Sequence, residues 1–432
     1  MQANNKLMNF LDKSSSNFQA VAMMKEELLS SGFKQLDLNE IWNLNKGEKY
    51  FLTVNDSAII AFDLVDFKVE NGFKIVASHT DAPNFKIKPK AINIKDGYVS
   101  VNTEAYGGLI NYAWFDRPLK LAGRVIVEDD KEIKTKLFDS NKAIGIIPSL
   151  AIHMNREVNK EAKFNRQTDM SPIIGQGEDF DFKQYLAKNL SVKAKDIIDY
   201  DLYFKPNEKA SLFGVNDEFI GSNHLDNLQC AYLSFLAFKE SKSNRATNVY
   251  VSFDNEEVGS MTKQGAQATI LKDVLERISE VMKASKQQHQ IALAKSFIVS
   301  ADNAHANHPN FAKFNDKNHM VKLNEGVVIK YSANQKYTTD ALSSSLIQKL
   351  AKEDNIKIQK FANRSDSPGG STLGAISGSQ VSIKSVDIGL PQLAMHSANE
   401  MAGSQDTESM YKLLKNFYNK SIKIKASSIE IE

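Results

Sequence analysis

Four short apolar, β-branched runs, at 73–77, 249–253, 297–300 and 381–386, each break off against polar or ionisable residues, and nothing else in the chain restricts its architecture as tightly. Short runs dominated by apolar, β-branched residues suit strands covered on both faces. Between them apolar positions fall at helical spacing, as at Leu228, Ala231, Tyr232, Phe235 and Leu236 and again at Leu271, Val274, Leu275 and Ile278. Strand alternating with helix predicts an α/β fold with a mixed, mostly parallel sheet flanked by helices. From 87 to 221 the pattern changes: INIKDGYVSVNTEAYG and LKLAGRVIVEDD alternate like antiparallel strands with Asp and Gly at the turns. The expectation is an inserted β-rich domain at 87–221 that splits the α/β domain into a first part, 1–86, and a second, 222–432; a length of 432 residues suits two domains.

Composition excludes several partners. Lys+Arg 54 against Asp+Glu 52 leaves +2, with no dense basic run, so no nucleic-acid or membrane footprint is expected. No stretch of about 18 apolar residues predicts a transmembrane helix. The polar, charge-interrupted first twenty residues lack an apolar signal core, and the single cysteine, Cys230, rules out an intrachain disulfide and reads as a packed thiol. The expected location is the cytoplasm. SSSN near 14, SKSN near 241 and KASKQQHQ near 283 read as short surface loops.

Chemistry gathers where the strands end. ASHTDAP runs a strand into His79, with Asp81 spaced to sit behind the imidazole and fix its tautomer. GSNHLDNLQCAY puts Asp226 just before an amphipathic helix, where an N-cap is the plain alternative, and His224 two residues earlier. VYVSFDNEEVGS delivers Glu256 and Glu257 side by side; adjacent carboxylates repel unless a cation binds, one as ligand while the other holds the attacking water. FIVSADNAHANHP closes a strand on Asp302, with His305 and His308 following as surplus histidines. SVDIGLPQLAMHSANEM brings out His396 after a strand and the Pro391 turn, just before what reads as a helix opened by Ser397. Ligands of open α/β sheets collect at such carboxyl ends. His79, Asp226, Glu257, Asp302 and His396 therefore form a candidate metal set, and imidazole with carboxylate but no thiolate suits Zn²⁺, with Mn²⁺ or Co²⁺ as alternatives.

ASHTDAPNFKIKP, AYGG with WFDRPL, SLAIHMNREVN, GSNHLDNL, FDNEEVGS, SADNAHANHPN, NRSDSPGGSTLG and LPQLAMHSANEM together make the chain resemble, over nearly its whole length, the aspartyl aminopeptidase family of co-catalytic zinc metallopeptidases. The resemblance implies a zinc-exopeptidase-like fold and two divalent metal ions per chain. Asp226 would bridge them, with Glu257 and His396 completing one site and His79 and Asp302 the other. Glu256 would be the general base for a metal-activated water attacking peptide substrates, and Asp81 the support of His79. It further implies that the inserted domain mediates dimerisation, that His153 reaches into a neighbouring subunit's active site, and that dimers assemble into a tetrahedral dodecamer. Without the resemblance, His153 in the apolar SLAIHM run reads as a satisfied core histidine.

An acidic first residue of the peptide requires a cation in its pocket. Lys330 is the candidate, against a plain reading as a solvated lysine at a strand end, and the backbone N–H groups of Gly369 and Gly370 are further anion donors. Neutral or hydrophobic first residues are the alternative, followed by a two-metal amidase or deacylase and by a catalytically silent scaffold. A serine hydrolase is disfavoured because GAISGS misplaces Ser377 for a nucleophile elbow, and the phosphate-binding glycine motifs are missing.

Overall fold

The computed structural model describes residues 2–64, 68–243, 245–367, 369–370 and 372–432, the side chains at 373 and 375–377 excepted, so the Ser377 side chain lies outside the described residues. The chain opens with α1 (Gln2–Lys13) and α2 (Asn17–Ser30), then β1 (Lys34–Gln35), β2 (Lys49–Val54), β3 (Ala58–Asp63) and β4 (Phe73–His79). A β-rich stretch follows: β5 (Asn84–Lys95), β6 (Tyr98–Tyr106), β7 (Leu119–Asp129), β8 (Glu132–Asp139), β9 (Ile173–Gln176), α3 (Phe182–Leu190) and β10 (Ile197–Pro206). Next come β11 (Ser211–Phe213), β12 (Phe219–Ser222), α4 (Leu225–Lys239), β13 (Thr247–Phe253), α5 (Ile270–Val281), α6 (Lys286–Ala294), β14 (Phe297–Ala301), β15 (Ala304–His305) and β16 (Val327–Tyr331). The chain closes with α7 (Ala341–Glu353), β17 (Ile358–Ala362), α8 (Leu373–Gln380), β18 (Lys384–Gly389), β19 (Pro391–Leu393), β20 (Glu400–Gly403), α9 (Asp406–Asn419), β21 (Ile422–Ile424) and β22 (Ile429–Ile431).

Nine strands form the main sheet in the order β1-β2-β3-β13-β4-β14-β18-β16-β17. The central strands β13, β4, β14 and β18 are mutually parallel, while β3 and β16 join them antiparallel, so the sheet is mixed and mostly parallel. Alternation along each central strand feeds two apolar cores: Val76, Tyr250 and Val299 face one, and Ile75, Val251 and Ile298 the other. A sheet packed on both faces has no water-facing side, which is why its strands read as mainly apolar runs without a regular polar face. A six-stranded antiparallel sheet, β8-β7-β10-β5-β6-β9, carries its own core around Phe85, Trp114, Leu121 and Phe204. Its β5–β6 hairpin turns at Asp96 and Gly97, with φ of 52° and 77°, the left-handed pair that a two-residue turn between twisted strands requires. A five-stranded sheet, β11-β12-β20-β19-β15, lies beside the carboxyl edge of the main one.

Several local expectations need correction. The run at 381–386 is a strand only from Lys384; Val381 and Ile383, between the end of α8 at Gln380 and the start of β18, are buried in the second core without joining the ladder. α4 is buried on every side rather than amphipathic, because it lies between the sheet and α1 and α9. No helix opens at Ser397: the chain turns back at once into β20, and the next helix begins at Asp406. Ser14, Ser15 and Ser16 are buried, since Ser16 caps α2 and Ser15 donates to Asp139 across the junction with the antiparallel sheet; Ser241 is buried as well. KASKQQHQ is mostly the helix α6, opened by a Ser285–Gln288 capping box. Among the described residues no helix is long and apolar enough to cross a membrane.

Candidate metal centre and active site

Because β4, β13 and β14 run in parallel, their carboxyl ends share one edge of the main sheet, and that edge carries the ionisable residues. β4 ends on His79; β13 is followed by Asp254, a left-handed Asn255 (φ 62°) and the 3-10 turn Glu256–Val258; β14 is followed by Asp302. Asp226 arrives in the first turn of α4 with non-helical backbone, and it is no N-cap: that position belongs to His224. The neighbouring Asn227 donates Nδ2 to the Ala301 carbonyl at 2.9 Å, tying this turn to the end of β14. His396 comes from the loop between β19 and β20.

The five predicted ligands converge. His79 Nε2 lies 3.7 Å from Asp226 Oδ1 and 3.5 Å from Asp302 Oδ1, and His396 Nε2 lies 3.5 Å from Asp226 Oδ2 and 3.3 Å from Glu257 Oε1. His79, Asp226 and Glu257 each offer one ligand atom within 4.8 Å of the others. Asp226 thus faces both imidazoles, one through each oxygen.

The remaining ring nitrogens fix the tautomers. His79 Nδ1 meets the Asp81 carbonyl at 3.1 Å, and His396 Nδ1 meets the Gly108 carbonyl at 3.1 Å. A carbonyl only accepts, so each Nδ1 carries the hydrogen and each Nε2 presents a lone pair to carboxylate oxygens. Lone pairs facing lone pairs require a cation or a proton between them. Neighbouring ligand atoms around a tetrahedral ion with bonds of about 2.0–2.1 Å lie roughly 3.4 Å apart, close to the separations found. Asp226 Oδ1 is buried without a hydrogen-bond partner. The donor set fits Zn²⁺.

Electrostatics point the same way. Burial, partly offset by His79 and reinforced by Asp302, Glu257 and Asp81, pushes the Glu256 carboxyl up to about 9; burial raises Glu257 to about 7. Against the opposing effect of burial, hydrogen bonds to Asp302 and Asp81 lift His79 well above the ordinary histidine range, and those to Asp226 and Glu257 lift His396 to about 11. A cluster that can only relieve itself by taking up protons is one that a divalent cation would stabilise. Asp81 is held low in spite of burial by His79 and Tyr106, and its oxygens also accept the backbone N–H groups of Glu256 and Glu257, both at 3.1 Å. It therefore orients His79 and the acidic turn together.

A cavity of about 160 Å³ opens on this cluster, lined by Asp226, Glu256, Glu257, Asp302, Lys330 and His396 and by the apolar surfaces of Tyr337, Phe361 and Met395. Lys330 is buried, correcting the solvated reading; its Nζ lies 3.4 Å from Asp302 Oδ2 and over the Tyr337 ring. Gly370 and His305 also line the cavity, while Gly369 packs on Asn363 and His308 caps a 3-10 turn. His153 is exposed, between Ile152 at 45% and Met154 at 75% exposure, so the core reading fails for the protomer. His224 is buried with Nε2 unpartnered.

Sequence reasoning assigned no part to Tyr106, whose hydroxyl donates to Asp81 at 2.7 Å, to Gly108, or to Glu400, which accepts the backbone N–H groups of Asp226 and His396. Their one signal is position: Tyr106 and Gly108 lie in AYGG, and Glu400 stands four residues beyond His396.

The profile of the family described as Aminopeptidase I zinc metalloprotease (M18) matches residues 10–418. The probable M18 family aminopeptidase 2 of Clostridium novyi is 46% identical over 424 residues, spanning 96% of this chain and 98% of that protein. Among solved structures, the cryo-EM complex of Ape4 and Nbr1 superposes with a TM-score of 0.93 at 36% identity, covering 96% of this chain and 85% of that one. The mApe1 dodecamer of S. cerevisiae superposes with a TM-score of 0.84 at 26% identity and 96% of both chains. With the matched profile spanning the strand ends and their ligands, the chain belongs to the M18 family of zinc metallo-aminopeptidases.

Proposed function

We propose that the chain removes the amino-terminal residue of peptides by a two-metal hydrolysis in which Asp226 is shared, Glu257 and His396 complete one position, and His79 and Asp302 complete the other. The observation that carries this reading is Asp226 facing two Nε2 lone pairs, one through each carboxylate oxygen. Bound divalent cations supply a water of lowered pKa and polarise the scissile carbonyl. Glu256, at the cavity wall, takes the proton from the attacking water and returns it to the leaving amine. Its buried carboxyl holds a proton readily, and nearby cations would bring that affinity down to the range a general base needs. Asp81 keeps His79 in the Nδ1–H tautomer throughout.

We further infer a preference for an acidic first residue. Lys330 is buried, and among the described residues its charge is matched within salt-bridge reach only by Asp302. Once Asp302 gives its charge to a cation, the ammonium is left to attract an acidic side chain, with Gly370 lining the same pocket and Gly369 beside it. Tyr337, Phe361 and Met395, which line the same cavity, support the second reading, a neutral or hydrophobic first residue. His153, exposed in an apolar loop, fits a role in a partner subunit's site. The 87–221 segment would be the dimerising insert of a tetrahedral dodecamer, after the dodecamer of the yeast relative, and the one buried thiol suits the cytoplasm.

Dialysed protein should retain about two zinc per chain. Glu256→Gln should keep the metal yet lose about 10²–10⁴-fold in kcat; metal-free active protein, or a loss under tenfold, sinks the mechanism. Lys330→Ala should raise KM for Asp- and Glu-peptides more than for Leu-peptides, and an equal rise removes the acidic pocket.

A further inference from the structure

We propose that Glu400 is a positioning residue that sets the spacing between Asp226 and His396, and with it the affinity of the metal position those residues share with Glu257. This rests on the two-metal ligand set proposed above.

In the five-stranded sheet β20 lies between β12 and β19, with Ser222 opposite Glu400 and Leu393 opposite Met401. β12 runs out into 223–226 and β19 into 394–396, so Glu400 stands on the middle strand where both ligand loops depart. Its Oε2 accepts the Asp226 backbone N–H at 3.0 Å and its Oε1 accepts that of His396 at 2.7 Å. The side chain is buried, and Gln392 donates Nε2 to the same Oε1 at 3.5 Å while accepting from Asn303, the neighbour of Asp302. Both loops use left-handed backbone at residues other than glycine: φ is 60° at His224, 54° at Ala394 and 66° at His396. L-residues adopt that conformation at a cost, so the surrounding bonds must hold it.

Two N–H donors converging on one side chain call for a carboxylate. Glutamine would turn an NH₂ toward one of the donors, and aspartate, a methylene shorter, does not span both. The effect is unequal between the two metal positions. Two of the three ligands at the Glu257 position hang from Glu400, whereas at the other only Asp226 does, His79 and Asp302 being fixed by the ends of β4 and β14.

Metal-free wild type and Glu400→Gln, titrated with Zn²⁺ by calorimetry and with Co²⁺ by visible absorption, provide the test. Wild type should bind two equivalents. E400Q should bind the first within threefold of wild type and the second about 10–100-fold more weakly. His396→Ala should lose that same second equivalent, and adding E400Q to it should change the remaining one less than threefold. Wild-type affinities for both ions in E400Q, or equal weakening of both, overturn the proposal. Fewer than two equivalents in the wild type overturn the ligand set itself. If E400Q does not fold, as judged by circular dichroism, Glu400→Asp should show the same selective loss, and wild-type binding in it overturns the proposal equally.

Discussion

The nine-stranded and six-stranded sheets of this molecule spend their polar residues differently. In β3, β4, β13 and β14 every residue is buried, and the candidate metal ligands stand at or just beyond the carboxyl ends of β4, β13 and β14. In β8 most side chains face water, and β5 and β7 alternate between core and solvent. A strand locked from both faces delivers its last residue to a fixed place, which a metal position needs. A strand with one wet face is free to present a surface.

Core truncation sharpens this contrast most. Ile75, fully buried in β4 four residues before His79, should lose about 2–5 kcal/mol on replacement by alanine, through lost burial and a cavity that neighbouring strands cannot close. Thermal unfolding of the metal-free protein measures it. A loss under 1 kcal/mol would mean that the main sheet relaxes around the gap and is less locked than its burial pattern implies.

Much of this was legible because the same physics wrote both pattern and structure. A strand buried on both faces stays mainly apolar until it ends, so His79 and Asp302 announced themselves as the first ionisable groups after such runs. The Asp-Gly pair at 96–97 announced the β5–β6 hairpin because few other pairs accept two left-handed residues in succession. What stayed hidden depends on tertiary partners. Ser14–Ser16 have surface composition but bury hydroxyls against the Met23 sulfur, Asp139, Gln19 and a helix end. α4 has helical spacing that does not show whether its second face meets water. Glu400 looks like any acid in a polar turn until the fold sets β12 and β19 on either side of it. His153 resembles core in sequence because an apolar segment exposed in one protomer carries the same residues as a buried one.

Where the two regions meet, Lys205 at the end of β10 reaches the carbonyls of Leu11 at 2.9 Å and Ser14 at 3.2 Å. Burial, helped by Lys120, pushes its ammonium down to about 7. The unfolded chain, with an ordinary lysine, then binds more protons than the folded one between about pH 7 and 10.5, so stability should rise with pH through that window and be flat from this source below it. Two pH units correspond to at most about 2.7 kcal/mol, and about 1–2 kcal/mol is expected once water and relaxation are allowed for. Chemical unfolding at pH 7 and 9 should give wild type a stability change more positive than that of Lys205→Met by this amount, because Lys74, which burial also pushes down to about 7, contributes equally to both proteins. The carbonyls left without a donor cost the same at either pH and drop out of the slope. Equal slopes in the two proteins would mean that the seam is wet and that the sheets meet more loosely than the burial of Lys205 implies.

The smallest effect belongs to the far edge of the antiparallel sheet. Ile133, 72% exposed on the outermost strand β8, has little burial to lose, and Ile133→Ala should change stability by less than about 0.5 kcal/mol. Lys134 and Lys136 on the same strand discourage pairing with another edge, which favours an open β8. Unfolding of the assembled protein measured beside the dilute protomer decides it. A loss above 1 kcal/mol confined to the assembly would show β8 to be covered by a second chain, and the difference between the two sheets would then lie in which partner buries them.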